Sequence, residues 1–254
     1  MSDTRQLGYY PRMVVALPSW NARGVINPIN PLTPADANRS PYAVSLVEFI
    51  DRFAITAARA RVLQGYLQYR AELHAAGLLV GFQWLDGSFL EDIETIEKRD
   101  PADIDVVTFY EMPVGQTQLT LMASHPGLFP ANAVEHDALK KRLCVDAYVV
   151  QLDAQKPTAT AAATRLVRTS AYWYSMWSHR RDLSWKGYVQ VDLSAAEDAQ
   201  ASTKLAGALA LLASTPTATA VVGAAISPVL APILAAPVAG PAGPTGPVAT
   251  AGAP

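Results

Sequence analysis

The sequence predicts an α+β protein, a mixed β-sheet of about four or five strands flanked by helices. Two observations carry that expectation. Four short apolar or alternating runs, at residues 78–85, 103–110, 142–152 and 186–193, have the length and composition of strands. Around them lie stretches whose apolar residues recur at helical spacing. Half of the 254 residues are hydrophobic, enough for one large domain or one domain with appendages.

Residues 1–40 are rich in proline, asparagine and turn formers, which predicts an irregular arm lying on the body. Ser45 and Glu48 form an S-x-x-E capping box, and Leu46, Phe49, Ile50 and Phe53 follow at helical spacing. A second helix is expected over Thr56–Ala76, carrying Val62, Leu63, Tyr66, Leu67 and Leu73, with Gly77 as its stop. The run LLVGFQWL, Leu78–Leu85, reads as a buried strand. Asp103–Tyr110 and Arg142–Leu152 read as two more, with helices expected between them at Val114–Ser124 and Ala133–Lys141. Ala159–His179 suits a long helix, and KGYVQVDL, Lys186–Leu193, alternates like a strand. Ser194 is placed to cap a last helix over 194–213.

Residues 214–254 differ in character. No charged side chain follows Lys204, and alanine, valine, leucine, proline and glycine dominate. Prolines at 216, 228, 232 and 237 interrupt every window long enough to span a bilayer. Two expectations stand for this tail: a flexible segment of biased composition, or an apolar segment that contacts a partner or a membrane surface.

The charge balance narrows the function. A net charge of −2 offers no basic field for a dedicated DNA binder. The lone Cys144 permits no internal disulfide, and the four histidines have no zinc-site spacing. Met13–Leu17 is too short for a signal-peptide core. Together these point to a cytoplasmic protein. No serine–histidine pair is visible, so hydrolase chemistry ranks low.

The informative stretch is Asp-Ile-Asp-Val-Val, residues 103–107. Residues two apart on a strand face the same side, so Asp103 and Asp105 point together from an element otherwise built for the core. Two such carboxylates repel and lose hydration, and a divalent cation removes the problem. Asp146 sits in a similar apolar run, and a strand pairing beside the first brings it into the same cluster. Three clustered carboxylates can hold two metal ions about 4 Å apart, as in-line phosphoryl displacement uses. The plain alternative is solvated acids at strand ends. Upstream, Gly87 and Ser88 follow the first strand directly. A glycine lets backbone approach a ligand closely, and Ser88-Phe89 would open a short helix whose free N–H groups suit an anion.

Strand, Gly-Ser, short helix, Asp-x-Asp and a third Asp on a later strand: this order resembles the nucleotidyltransferase superfamily of the DNA polymerase β type. More closely, DGSF (86–89) followed by P-x-DIDVV (101–107), with GVINP (24–28) upstream and KGYVQVDL (186–193) downstream, resembles a bacterial family of that fold. The resemblance covers roughly residues 20–193, leaving the tail outside, and makes 41–193 the nucleotidyltransferase-like domain. It implies Mg²⁺, two ions when an NTP is bound, held by Asp103, Asp105 and Asp146, with Gly87 and Ser88 at the nucleotide. Asp103 and Asp105 would bridge metals and triphosphate, and Asp146 would help deprotonate the attacking hydroxyl. The implied reaction moves an NMP group from an NTP to a hydroxyl of a protein, RNA or small molecule.

Two other readings stand beside it. One is a catalytically weak, antitoxin-like partner of a toxin in a bacterial stress or defence module. The other is a scaffold or membrane-associated protein driven by the apolar tail. Around the acids, Glu91, Asp92, Glu94 and Glu97 read most simply as a solvated face. Trp173, Tyr174, Trp177 and Trp185 are either core or base-stacking residues. Arg180, Arg181 and Lys186 are either surface cations or phosphate contacts. Lys140 and Lys141 suit a helix C-terminus.

Overall fold

The computed structural model describes residues 16–154 and 157–214. The apolar tail expected beyond Ser214 lies outside the described residues, as does the arm before residue 16. Within them the protein is α+β, with a five-stranded mixed sheet and seven α-helices among the described residues. The sheet order is β1 (Tyr42–Ala43), β5 (Val189–Asp192), β2 (Gly81–Asp86), β3 (Ile104–Tyr110), β4 (Val145–Gln151). β2 runs antiparallel to both neighbours, whereas β3 and β4 are parallel, as are β1 and β5.

The helices form where local chemistry starts and stops them. Ser45 and Glu48 close a reciprocal capping box on α1 (Leu46–Phe53). Thr56 caps α2 (Ala57–Ala75), and Gly77, at φ +88°, ends it with its N–H on the His74 carbonyl. The Leu78 N–H still bonds the Leu73 carbonyl, so the chain is unwinding from α2 there. The strand therefore begins at Gly81 rather than at Leu78, and Leu79 and Val80 lie exposed. A one-turn α3 (Ile93–Ile96) follows β2. The next helix, α4 (Gln118–Ser124), is shorter than expected, because Gly115 turns the chain and Thr117 caps it. By contrast α5 (Ala133–Leu143) runs two residues further, ending at Cys144 in a left-handed conformation, and this delays β4 to Val145. The long helix α6 spans Ala159–Trp177. Ser194 makes no side-chain cap. A 3-10 turn at Ala195–Glu197 leads into α7 (Asp198–Ser214), and the Ser194 carbonyl instead accepts from Arg70 Nη2 at 3.0 Å.

The two faces of the sheet differ. One packs on α2: Tyr66 and Arg70 both reach Gln83 Oε1 at 2.8 Å, and Gln83 Nε2 donates to Thr108 at 2.9 Å across the β2–β3 register. Arg70, fully buried, also pairs with Asp198 at 2.8 Å and so ties α7 to the sheet. The other face is aromatic. Phe82 stacks on Phe109 at 4.7 Å, Trp84 meets Tyr188 at 5.4 Å, and α6 brings Trp173 onto Tyr148 and Trp177 onto Tyr188. Trp173 and Trp177 are core, while Tyr174 and Trp185 are exposed.

α2 crosses α5 at Gly65, where an added Cβ would stand 1.8 Å from the Leu143 carbonyl oxygen. Backbone on both sides leaves nothing to swing away. Overpacking of this kind costs about 1–3 kcal/mol. Gly65→Ala is expected to lower the melting temperature by about 3–10 °C, measured by circular dichroism. An unchanged melting temperature would show that α2 and α5 are not held this closely.

Candidate active site

The polar end of the aromatic face is set by register. Asp86 pairs with Asp105 across β2–β3, and Asp105 pairs with Asp146 across β3–β4. Three aspartates therefore stand in one row across adjacent strands, pointing the same way as Phe82, Trp84 and Tyr148 along their own strands. Asp103, one step before β3, joins them. Directly opposed like charges destabilise a sheet, so this row needs compensation.

Each end of the row has its own cation. Lys186, buried just ahead of β5, places Nζ 3.0 Å from Asp86 and 3.2 Å from Glu91. Burial raises the Asp86 carboxyl to about 6, against the pull of Lys186 and a hydrogen bond from the Gly87 N–H. At the other end Lys140 of α5 contacts Asp103 Oδ2 and lies 3.8 Å from Asp146 Oδ2, while His136 Nδ1 is 3.3 Å from Asp146 Oδ1. The middle member, Asp105, makes no ion pair or side-chain hydrogen bond among the described residues. Burial, then the Asp86 and Asp146 charges, push it up to about 7, opposed by the fields of Lys186 and Arg181.

Gly87 turns the chain at φ +89° immediately after Asp86, and Ser88–Leu90 form a single 3-10 turn. A Cβ at 87 would sit 2.8 Å from Asp105 Oδ2. A side chain there would collide with the central carboxylate, so glycine is required by contact as well as by conformation. The loop beyond is held from beneath. Buried Arg59 donates to the Phe89 carbonyl at 2.6 Å, the Glu91 carbonyl at 2.5 Å and Glu94 at 2.6 Å. Trp20 Nε1 donates to the Leu90 carbonyl at 2.6 Å, and the Asp92 N–H reaches the Gly24 carbonyl at 2.8 Å.

Gly87, Ser88, Asp103, Asp105 and Asp146 thus all line one open cleft of about 760 Å³. Its far wall is cationic and aromatic, with Arg180, Arg181, His179 and Trp177. Several neighbours differ from expectation. Glu91 is buried between Lys186 and Arg180 (3.1 Å), and Glu94 is paired with Arg59, so neither belongs to a solvated face. Lys186 is no surface cation, and Lys140 does more than favour a helix end. Asp86 and His136 were not legible as site residues. The signals were an acid closing the apolar run before Gly-Ser and a histidine four residues before Lys140.

Among the described residues no group of three or more His, Cys, Asp or Glu side chains already stands at metal-binding spacing. The donor set nevertheless suits a hard cation: it is all oxygen, and its central carboxylate has no ion-pair partner among the described residues.

A family model described as a family of unknown function, DUF6932, matches residues 18–192. The chain belongs to this family. The match takes in the arm that holds the Gly87 loop, all five strands and every cleft residue named above. Neither a curated protein nor a solved structure matches the chain. No helix of the described residues is long and apolar enough to cross a membrane.

The raised Asp105 carboxyl makes a signed prediction. Between about pH 4 and 7 the unfolded chain releases this proton while the native chain keeps it, so stability falls as pH rises through that window. Asp105→Asn removes the group. It is expected to raise the melting temperature of the metal-free protein by about 5 °C or more near pH 8 and by nothing near pH 4. Thermal melts across that range test this, and a pH-independent effect would contradict it.

Proposed function

We propose that this chain is a divalent-cation-dependent nucleotidyltransferase, moving an NMP group from an NTP to a hydroxyl. The observation that carries the reading is Asp105: a partly buried carboxylate without an ion-pair partner among the described residues, flanked by two more, directly under a glycine–serine turn. A partly buried acid row of this kind costs stability, and a use at the site is the simplest reason for a fold to retain it.

Asp103, Asp105 and Asp146 would hold the metal. When bound, Mg²⁺ supplies charge neutralisation for the transferred phosphoryl group and its leaving pyrophosphate. The remaining work falls to the chain. The bare Cα of Gly87 lets phosphate oxygens approach the turn. Arg181 is exposed, lines the cleft and has no ion-pair partner among the described residues, so its guanidinium is free to meet phosphate. Arg180, held by Glu91 at 3.1 Å and Glu97 at 3.0 Å, stiffens that wall. Asp146 stands at the cleft end farthest from Gly87 along the acid row, where an acceptor hydroxyl would enter. The new O–P bond forms as the bond to pyrophosphate breaks, and the hydroxyl proton passes to the Asp146 carboxylate. His136, beside Asp146 Oδ1, positions that carboxylate.

The test is labelling. Incubated with radioactive NTPs and Mg²⁺, the wild-type chain is expected to transfer label to itself or to an added extract. Asp103→Asn and Asp105→Asn are expected to reduce transfer to the no-protein control while keeping the wild-type circular dichroism spectrum. Labelling that persists in both variants would remove the mechanism.

A further inference from the structure

Three consecutive cations end α5, and they point to different places. Lys141 pairs with Asp137 on its own helix at 2.6 Å, and Arg142 pairs with Glu72 of α2. Only Lys140 faces the cleft, where it contacts Asp103 Oδ2 and lies 3.8 Å from Asp146 Oδ2. His136, one turn earlier on the same helix face, places Nδ1 3.3 Å from the other Asp146 oxygen. Two of the three proposed cation ligands thus share the single lysine charge of one helix.

The two cleft lysines are held differently. Lys186 is buried and gripped by Asp86 and Glu91, so its charge is fixed in the structure. Lys140 is 42% exposed and has no other ion-pair partner among the described residues. Its four-carbon stem and strongly hydrated ammonium allow it to leave for solvent at small cost. An ammonium and a divalent cation on the same carboxylates repel one another, so each weakens the hold of the other.

We propose that Lys140 is a tethered counter-ion that competes with the divalent cation for Asp103 and Asp146, so that the cation loads more readily as the lysine leaves. This rests on the reading of the acid row as a cation site. The displaced ammonium stays at the cleft mouth, where the negative charge of a phosphorylated ligand would hold it. Cation loading is thereby favoured when such a ligand arrives and disfavoured when the cleft is empty.

Mn²⁺ alone is the probe, titrated into the full chain without nucleotide and followed by the paramagnetic resonance signal of free Mn²⁺. Lys140→Met and Lys140→Gln are each expected to bind Mn²⁺ roughly five-fold more tightly than wild type, the scale of one partly exposed charge pair. Lys140→Arg, which keeps the charge, is expected to stay with wild type. Asp105→Asn is expected to lose binding. Unchanged or weaker binding in Lys140→Met and Lys140→Gln, with wild-type binding intact and Asp105→Asn negative, overturns the role of Lys140 and leaves the acid-row reading standing. Absence of binding in every form overturns both.

Discussion

The structure is organised around a row of like charges. β2, β3 and β4 bring Asp86, Asp105 and Asp146 side by side at the end of an otherwise aromatic sheet face. Carboxylates opposed across strands repel, and their burial removes the water that would screen them. The surroundings answer at both ends of the row and not in the middle. Lys186 fixes Asp86, α5 covers Asp103 and Asp146, and Asp105 keeps a carboxyl shifted to about 7. A hydrophobic residue at 105 would satisfy the sheet better, so the acid there is a cost that function has to explain.

Much of the remaining architecture serves to hold the turn above that acid. Gly87 can pass within contact of Asp105 only because the following loop is pinned. Arg59 binds two of its carbonyls and one of its acids from α2, and Trp20 and Gly24 reach it from the irregular arm. Arg59 is also packed near the rings of Trp20 and Phe89, so a buried cation, an aromatic cluster and the loop form one unit. Arg70 does for α7 what Arg59 does for the loop, binding Asp198 on one side and Gln83 of β2 on the other. Two buried arginines on one helix therefore connect the arm, the sheet and the C-terminal helix.

The sequence announced the elements better than their partners. The capping box at Ser45, the stop at Gly77 and the α+β alternation are local signals, and the structure follows them. Boundaries slipped where tertiary contact overrode local pattern: Leu143 stays helical because it packs over Gly65, and the strand after α2 waits for Gly81. The convergence of Asp103, Asp105 and Asp146 followed from strand alternation together with one assumed pairing, β3 beside β4, which the register supplies. What could not be read was which charges cancel. Glu91 with Lys186, Glu94 with Arg59 and Lys140 with Asp103 are paired across 95, 35 and 37 positions respectively, and no local pattern encodes such pairs. In an acidic stretch that reads as solvated, Glu91 and Glu94 are instead held by distant cations, while Glu97 stays exposed.

The acid row under Gly87 is proposed to take up a divalent cation together with a nucleoside triphosphate. A ligand that binds the native state raises its melting temperature. The most direct measurement is a thermal-shift comparison of the full chain with each of the four NTPs, with and without Mg²⁺, alongside Asp105→Asn. An upward shift is expected for at least one NTP only when Mg²⁺ is present, and none for Asp105→Asn. No shift with any NTP, or a shift of equal size in Asp105→Asn, would contradict it.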